Sequence, residues 1–316
     1  MSAYAVVQGS LNIDLVFRGP RLPGPGESVL GESFSTFPGG KGANQAVQLA
    51  KLGVETHMIG RVGTDDYGDQ LIDSLEAAGV NTDGVVRDSD LGTGKGWVFI
   101  DGAGENYIIV VPEANMVWRP SDLTPLRALF TRADVFLCQL ETPVPLVDSC
   151  LRLAKASSAL TMLNAAPAIE LPGPLFAYVD VLVLNQTEAA FYSGRQVKGV
   201  HGALAAAAEL RGRGCGAAVI TLGERGAIAV SQAGDIRCGA YTVDAVDVTA
   251  AGDSFCGGLA YALVNGQDMR DALQFACACG ALTVTRAGAQ PSLPTLAEIH
   301  SFMKRNGVED GGQDYI

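Results

Sequence analysis

The sequence VDVTAAGDSFCGG at residues 246–258 leads into the apolar run 259–264. This change from small residues to helix-period apolar positions predicts a loop followed by a helix. Free main-chain N–H groups and the helix dipole both favour an anion such as phosphate at such a helix start. Asp253 lies where the anion would bind, so we interpret its carboxylate as a base that takes a proton from a reacting hydroxyl. The alternative is an ordinary capped helix, in which Asp253 accepts the first-turn amides.

A second glycine-rich helix start lies far upstream, in the sequence PGGKGANQ at residues 38–45. The helix that begins there is predicted to run to about residue 52, with Gly53 as its C-terminal cap. Two such helix starts with complementary polar groups indicate a function more strongly than either does alone.

The composition suits one large α/β domain with at most a small appendage, because 48% of the 316 residues are hydrophobic. The formal net charge is −12. Such an excess of acidic groups argues against nucleic acid and anionic membranes as partners.

The first residues carry no basic segment ahead of an apolar one, and no apolar run is long enough to cross a bilayer. We therefore expect a cytoplasmic protein with no membrane partner. The seven cysteines are scattered and odd in number, which favours reduced thiols over a disulfide framework. A metal site at Cys277 and Cys279 is disfavoured, since no second Cys or His pair lies nearby.

The order of predicted elements gives the fold class. The first strand is expected at 6–10 and to continue through 11–16, and strand and helix then alternate along most of the chain. This alternation predicts a parallel sheet with crossover helices. A final antiparallel edge pair is expected at 227–230 and 236–238, and the last long helix at 268–285.

The alternation breaks between residues 93 and 111. Two apolar runs flank the turn sequence DGAGE at residues 101–105, which is typical of a β-hairpin. Together with segments 14–18 and 28–37, the strands at 95–101 and 106–111 would form a small antiparallel sheet outside the main fold. Such a sheet is expected to act as a lid.

Polar residues follow the predicted strands where a parallel sheet binds its ligands, beyond the carboxyl ends. This edge should hold Asn12 and Asp14, Glu141, Asn185 and Glu188, Gly223, and the loop before Asp253. These residues also allow a purely structural interpretation: Asn12 and Asp14 suit a turn, and Glu141 suits a helix cap. Neither the P-loop nor the dinucleotide-binding G-x-G-x-x-G pattern is present, which disfavours the common nucleotide folds.

The two glycine-rich stretches resemble the two signatures of the ribokinase-like carbohydrate kinase family. The first is GGKGANQA at residues 39–46, and the second is DVTAAGDSF at residues 247–255. The stretches GSLNID at 9–14, PGE at 25–27, NQTE at 185–188, TLG at 221–223 and TRAGAQPS at 285–292 are also similar to family members. The resemblance covers nearly the whole chain, and several ordered motifs at matching spacing are far more specific than any one.

The resemblance implies a three-layer α/β/α sandwich with a central, mostly parallel sheet and a small antiparallel lid, spanning residues 1–306. Residues 307–316 would be a flexible acidic tail. It also implies an ATP-dependent sugar kinase, with D-ribose as the first choice of acceptor and Mg²⁺ and K⁺ as cofactors. Fructose, 2-deoxyribose or a nucleoside remain alternative acceptors, and a non-catalytic sugar sensor or a scaffolding protein would be a different class.

The resemblance assigns roles by position. Asp253 would be the base, with the amides of Ala251, Gly252 and Asp253 holding the transferred phosphoryl group. The sugar hydroxyls would be held by Asn12, Asp14, Gly40, Lys41, Asn44 and Glu141. Asn185 and Glu188 would act on Mg²⁺ through water, and Thr221, Gly223, Gly252 and Cys277 would line the nucleotide site.

A monovalent cation, usually K⁺, is implied beside the phosphate loop, where it would strengthen the anion site without joining the chemistry. Its ligands would be the Asp247 carboxylate, the main-chain carbonyls of Thr249, Thr283, Arg286 and Gly288, and the Ser292 hydroxyl. The alternative is a polar turn after the last long helix.

Three features depart from the family pattern. Cys277 stands where a polar residue near the adenine is common. In the lid, Lys95, Gly96 and Trp97 replace a small aliphatic run, and the sequence PEAN at 112–115 replaces a glycine-bearing turn. We expect these lid changes to lie where the sugar is selected. The apolar face of the lid sheet predicts a homodimer through the lids.

Overall fold

The computed structural model describes residues 3–307, and all statements about its architecture refer to that range. Its strands are β1 (Tyr4–Gln8), β2 (Asn12–Arg18), β3 (Ser33–Gly39), β4 (Glu55–Gly63), β5 (Val80–Asp88), β6 (Gly94–Ile100), β7 (Asn106–Val111), β8 (Val135–Cys138), β9 (Leu160–Asn164), β10 (Val181–Asn185), β11 (Ala217–Thr221), β12 (Ala227–Ser231) and β13 (Gly234–Cys238). Its α-helices are α1 (Lys41–Lys51), α2 (Asp66–Ala77), α3 (Pro120–Leu123), α4 (Arg127–Arg132), α5 (Val144–Ala156), α6 (Gln186–Ser193), α7 (Gly199–Gly212), α8 (Ala251–Val264), α9 (Met269–Thr283) and α10 (Leu296–Arg305).

Nine strands form the central sheet in the order β13-β12-β11-β10-β9-β8-β1-β4-β5. All pairs from β11 to β5 are parallel, and the β11–β12 and β12–β13 pairs at one edge are antiparallel. The predicted mostly parallel sheet and its antiparallel edge pair are therefore confirmed.

Helices cover both faces of this sheet because its buried strands are apolar on both sides. Val7 belongs to the core that α1, α8, α9 and α10 complete. Its neighbour Val6 belongs to the core on the other face, which α4 to α7 complete. The alternation of successive side chains thus builds two cores from one strand, and the predicted three-layer sandwich is confirmed.

A second sheet of four strands, β3-β2-β6-β7, stands outside the sandwich. The predicted hairpin of β6 and β7 is antiparallel, as is the β2–β3 pair. The central β2–β6 pair is parallel, so the sheet is mixed rather than wholly antiparallel. The strand expected at 28–37 begins only at Ser33.

The first predicted strand is two strands in two sheets. β1 ends at Gln8 and β2 begins at Asn12. Between them, Gly9 packs against the start of α1, where a Cβ on Gly9 would lie 2.8 Å from the Cα of Gly42. This close approach turns the chain out of the central sheet and carries Asn12 and Asp14 into the second one.

Of the strands and α-helices given above, four were not predicted: β5, α3, α4 and α10. The expected acidic tail falls almost entirely on residues 308–316, which lie outside the described range. No helix among the described residues combines the length and apolar character that a bilayer crossing requires.

Candidate active site

Asp253 lies in the first turn of α8, and its side chain is buried. Asn44 Nδ2 donates to Asp253 Oδ2 and Gln45 Nε2 donates to Asp253 Oδ1, each over 2.9 Å. Both donors come from the start of α1. The two glycine-rich helix starts of the sequence therefore meet at one carboxylate.

Burial raises the pKa of Asp253 above its ordinary value, because the charged form loses hydration. The positive charge of Lys41 and the hydrogen bonds from Asn44 and Gln45 lower the pKa again but do not cancel the effect of burial. The carboxylate is thus held in place by amides while its affinity for a proton is increased, as a general base requires.

Lys41 provides the positive charge of the site. Burial alone would lower the pKa of Lys41, but the carboxylates of Asp253, Glu141 and Glu188 outweigh it and raise the pKa. Glu141 Oε2 accepts from the hydroxyl of Ser10 over 2.5 Å and from the main-chain N of Lys41 over 3.4 Å. Glu141 is not the N-cap of α5, which is Pro143.

Asp14 is enclosed by glycines on both neighbouring strands. A Cβ on Gly39 would lie 2.4 Å from Asp14 Oδ2, and a Cβ on Gly96 would lie 2.3 Å from Asp14 Oδ1. Burial, with smaller effects from Glu141 and Asp253, raises the pKa of Asp14 to about 7. Because Gly39 and Gly96 have no side chain, the carboxylate of Asp14 has room to point into the site.

Asn115 ends the PEAN segment that the sequence analysis expects where the sugar is selected, and it fixes the position of Asn12. Its Nδ2 donates to Asn12 Oδ1 over 2.9 Å and to the carbonyl of Leu11 over 3.0 Å. Its Oδ1 accepts from Leu11 N over 2.9 Å. Asn115 is 1% exposed, so these bonds hold the side chain of Asn12 from behind.

The start of α8 presents unused donors. Ala250 caps it in the left-handed region, with φ 59°. The amide of Ala251 donates to the carbonyl of Val248 over 3.3 Å. Among the described residues, the amides of Gly252 and Asp253 have no protein acceptor. These two N–H groups lie at the helix start where the sequence predicts that an anion binds.

A cavity of about 730 Å³ opens beside this helix start. Its walls include Thr221, Gly223, Gly252 and Cys277, four of the residues that the sequence assigned to a nucleotide. Asn185 and Glu188 do not line it. They form a reciprocal cap on α6, in which Glu188 Oε2 accepts from Asn185 N over 2.7 Å and Asn185 Oδ1 accepts from Glu188 N over 2.9 Å.

Glu188 is buried, and burial raises its pKa. Asn185 Nδ2 also donates to Glu188 Oε1 over 2.9 Å. The electrostatic effect of Glu188 on Lys41 places the carboxylate near the charged centre of the site. A carboxylate with lone pairs on both oxygens in this position suits a hard cation held through water.

Hydrogen bonds join three of the residues that the sequence assigned to a cation. Asp247 Oδ2 accepts from Gly288 N over 2.9 Å, and Asp247 Oδ1 accepts from Thr249 N over 2.9 Å. Burial acts against the charged form, but the hydrogen bonds from Thr249 and Gly288 outweigh it and the pKa of Asp247 is lowered. A carboxylate that stays ionised is a suitable oxygen ligand for a cation.

The other expected cation ligands make contacts within their own segment. The carbonyl of Thr283 accepts from Arg286 N over 3.2 Å. The hydroxyl of Ser292 is buried and donates to the carbonyl of Ala289 over 2.7 Å. The side chain of Arg286 pairs with Glu298 over 2.7 Å; the sequence analysis assigned only the main-chain carbonyl of Arg286 to the cation.

Of the three lid residues that depart from the family pattern, Gly96 lies beside Asp14, and Lys95 and Trp97 do not. Gly96 is in register with Asp14, so Lys95 and Trp97 point to the opposite face of the second sheet. Lys95 Nζ donates to the carbonyl of Thr93 over 2.9 Å and lies 5.8 Å from the ring centre of Tyr67. The face beside Asp14 is lined by glycine instead.

Comparisons with known proteins agree with this geometry. Residues 2–296 match the model of the pfkB family carbohydrate kinases. The ribokinase of Staphylococcus aureus is 34% identical over 302 residues, which are 95% of this chain and 99% of that protein. The ribokinase of Schizosaccharomyces pombe is 37% identical over 313 residues, covering 95% and 98% of the two chains.

A solved structure of Arabidopsis thaliana ribokinase complexed with ribose and ATP matches with a TM-score of 0.90 at 30% identity. The match covers 96% of this chain and 99% of that one. Both glycine-rich helix starts, the central sheet and the second sheet lie within residues 2–296, which match the family model. The chain belongs to the pfkB family of carbohydrate kinases.

Proposed function

We propose that the chain transfers the γ-phosphoryl group of ATP to the primary hydroxyl of D-ribose, giving D-ribose 5-phosphate. The observation that carries the proposal is the position of Asp253. Its buried carboxylate lies between a cluster of polar side chains from α1 and the second sheet and the unused amides at the start of α8.

The sugar would bind in the polar cluster of Asn12, Asp14, Gly40, Lys41, Asn44 and Glu141. Asn44 Oδ1 is buried and has no hydrogen-bond partner in the protein. An unpaired buried acceptor is costly, and a sugar hydroxyl that donates to it would remove that cost. Vicinal hydroxyls suit the paired oxygens of a carboxylate such as Asp14.

Asp253 would accept the proton of the primary hydroxyl as the oxygen attacks the γ-phosphorus in line. The amides of Gly252 and Asp253 would hold the negative charge on the transferred group, with Ala251 shaping the turn, because preorganised donors stabilise charge that develops in the transition state. Lys41 would balance the added charge. The adenosine part of ATP would occupy the cavity lined by Thr221, Gly223 and Cys277.

Mg²⁺ would be held through water by Glu188 and Asn185 and would neutralise phosphate charge when bound. A monovalent cation, K⁺ by preference, would be held by Asp247 with the carbonyls of Thr249, Thr283, Arg286 and Gly288 and the hydroxyl of Ser292. The Asp247 carboxylate already joins Thr249 to Gly288, so the segments that would surround the cation are adjacent.

The second sheet would act as the lid over the sugar, within a kinase domain of residues 1–306 that precedes the tail at 307–316. Closure would exclude water that competes as acceptor.

The strand β7 at the edge of the lid is exposed along its length, and Ile108 and Ile109 are 63% and 58% exposed. We infer that a second copy of the chain covers this apolar edge in a cytoplasmic homodimer, and light scattering that gives a monomer at micromolar concentration would contradict it.

The acceptor is tested by comparing kcat/KM for ribose, 2-deoxyribose, fructose and adenosine with ATP, Mg²⁺ and K⁺. We expect ribose to give the highest value. A higher value for another acceptor would overturn the assignment of ribose and leave the kinase assignment in place. Sugar binding without phosphoryl transfer to any of the four would favour the sensor instead.

A further inference from the structure

The last residue of α1 holds the segment that follows α9. Lys51 Nζ donates to the main-chain carbonyl of Gln290 over 3.0 Å and to that of Leu293 over 2.8 Å. Residues 290–292 form a short 3-10 turn. One ammonium group therefore joins the first residue of this turn to the residue that follows it.

Two further side chains hold the same segment. Gln48 Nε2 donates to the carbonyl of Pro294 over 3.0 Å, and Ser74 Oγ donates to Gln290 Oε1 over 2.7 Å. Gln48 belongs to α1, like Lys51, and Ser74 belongs to α2. The segment is thus held by side chains of two helices, and Lys51 alone makes two bonds to it.

Ser292 lies between the two carbonyls that Lys51 holds. It is buried, and both its main-chain N and its hydroxyl donate to the carbonyl of Ala289, over 3.1 Å and 2.7 Å. These bonds stay within the turn. The position of the Ser292 hydroxyl relative to α1 and α8 therefore follows the position of the whole turn.

The other end of the segment is joined to the residues before α8. Asp247 Oδ2 accepts from Gly288 N over 2.9 Å, and Gly288 has φ 89°, a conformation that favours glycine. Asp247 and Lys51 thus hold one loop from two sides. Such anchoring matters for a cation ligand, because ordering a loose loop when the cation arrives costs binding free energy.

We propose that Lys51 is a positioning residue for the monovalent cation, and that its two hydrogen bonds hold residues 286–292 in the arrangement that the cation needs. This role rests on the proposed function, which assigns the carbonyl of Gly288 and the hydroxyl of Ser292 to that cation. Lys51 is not itself a ligand, since an ammonium group has donors and no lone pair.

The charge of Lys51 and its hydrogen bonds predict opposite effects on K⁺. A positive charge near a bound cation repels it, so the loss of the charge alone would strengthen K⁺ binding. The loss of the two hydrogen bonds would loosen the turn and weaken K⁺ binding. Lys51→Met removes both the charge and the bonds while it keeps an unbranched apolar side chain, and we expect the loss of the bonds to dominate.

The test measures K⁺ binding without turnover. The melting temperature of the full-length protein is followed as K⁺ replaces tetramethylammonium at constant ionic strength, with saturating ribose and ADP. We expect Lys51→Met to raise the K⁺ concentration at half of the full rise at least fivefold. The Kd for ribose, measured by calorimetry in K⁺, should change less than twofold. A general weakening of α1 would alter this Kd too, because Asn44 and Gln45 belong to the same helix.

Hydrogen exchange gives a second measurement, which needs no cation. In tetramethylammonium buffer, the peptide that covers residues 286–294 should exchange at least tenfold faster in Lys51→Met than in the unmodified protein, because the turn is no longer held. Lys155→Met is the matched control, since Lys155 lies in the last turn of α5 and pairs with Asp180. It should leave both the exchange and the K⁺ midpoint unchanged.

Lys51→Arg keeps the charge and the donors, so it should shift the K⁺ midpoint less than Lys51→Met does. An equal shift in the two variants would overturn the role of the hydrogen bonds. An unchanged or lowered midpoint in Lys51→Met, or unchanged exchange, would overturn the role of Lys51 and leave the proposed cation site in place. If K⁺ did not raise the melting temperature of the unmodified protein, the proposed cation site would fail and the role of Lys51 with it.

Discussion

Gln45 Nε2 donates to Oδ1 of Asp253 over 2.9 Å and so joins α1 to α8 across 208 positions of sequence. Gln45 is itself fixed, because its Oε1 accepts from Gln139 Nε2 over 2.6 Å. Its Nε2 also donates to Asn164 Oδ1 over 3.1 Å. A buried chain of amides at the ends of β8 and β9 therefore orients the carboxylate of Asp253. The orientation of this carboxylate thus depends on residues that need not touch the sugar.

Asp253→Asn removes the base while it keeps the size of the side chain. We expect kcat to fall by at least about a thousandfold, since general base catalysis contributes on the order of 10²–10⁴ and the amide also disturbs the hydrogen bonds around it. The affinity for ribose, measured by calorimetry, should change far less. A variant with near-normal kcat would contradict the assignment of Asp253.

Gln45→Leu should shift the pH dependence of the reaction. The lost hydrogen bond had favoured the charged carboxylate, so the pKa of Asp253 rises further and more of the enzyme is protonated at neutral pH. The acidic limb of the kcat/KM profile should move to higher pH, and activity should fall more at pH 6 than at pH 8.

Gln48→Leu is the matched control on the same helix, because Gln48 contacts Ser254 and the carbonyl of Pro294 rather than the base. It is expected to lower stability without moving the acidic limb. Identical profiles for Gln45→Leu and the unmodified enzyme would show that Gln45 does not set the pKa of Asp253.

Asp14→Asn separates stability from sugar binding. The pKa of Asp14 is raised to about 7 in the folded protein, so its contribution to stability is full below about pH 4 and is lost as pH rises to about 7. At about 1.4 kcal/mol per pH unit, the loss is at most about 4 kcal/mol. Asn has no charge to bury, so the variant should gain stability over the unmodified enzyme as pH rises through this window.

Asp14→Asn should also weaken the binding of the sugar. The KM of the unmodified enzyme for ribose should fall as pH rises through about 7, because the ionised carboxylate accepts two hydroxyls. The KM of Asp14→Asn should be at least tenfold higher at pH 8 and independent of pH. Urea unfolding at pH 4.5 and pH 8 gives the stability, and Asp83→Asn at an exposed site is the control. If the free energy of unfolding changed with pH in the same way in Asp14→Asn and in Asp83→Asn, the buried-charge explanation would be refuted.

Gly96→Ala places a methyl group where Asp14 lies, 2.3 Å from its Oδ1. The carboxylate must turn away from the site, so the KM for ribose should rise at least tenfold while ATP binding is unchanged. Gly173→Ala is the control, since a Cβ there meets nothing within 4 Å. An unchanged KM in Gly96→Ala would show that Asp14 does not hold the sugar in its present position.

The sequence predicted the architecture well wherever a local apolar pattern or a turn sequence determines the geometry of an element. Period-2 and period-3.6 apolar patterns predicted the central sheet and its long helices, and the turn after Ile100 predicted the hairpin. The helix α10 was missed although Thr295 and Glu298 form a reciprocal cap, which is a sequence signal of a helix start. That signal was present and not used.

The site was harder to predict where it depends on sheet register. A shift of one residue exchanges the two faces of a strand, and no local pattern showed that Gly96 rather than Lys95 is beside Asp14. The contacts of Asn115 and Gln139 were not predicted for a related reason. Each acts on a residue about 100 positions away, and such pairing is set by the folded topology.

Removal of K⁺ tests the cation proposal, and Asp247→Asn gives it a residue-level control. Asp247 accepts from the main-chain N of Gly288 and of Thr249, and these bonds help to lower its pKa, so it carries the negative charge that a cation ligand needs. We expect kcat/KM for ATP to fall at least tenfold when tetramethylammonium replaces K⁺, because the added positive charge supports the anion site at the start of α8. The Asp247→Asn variant should be slow in both salts and gain little from K⁺, while Asp83→Asn should respond as the unmodified enzyme does. If both enzymes responded equally to K⁺, Asp247 would not be a ligand, and if neither responded, the site would not be a cation site.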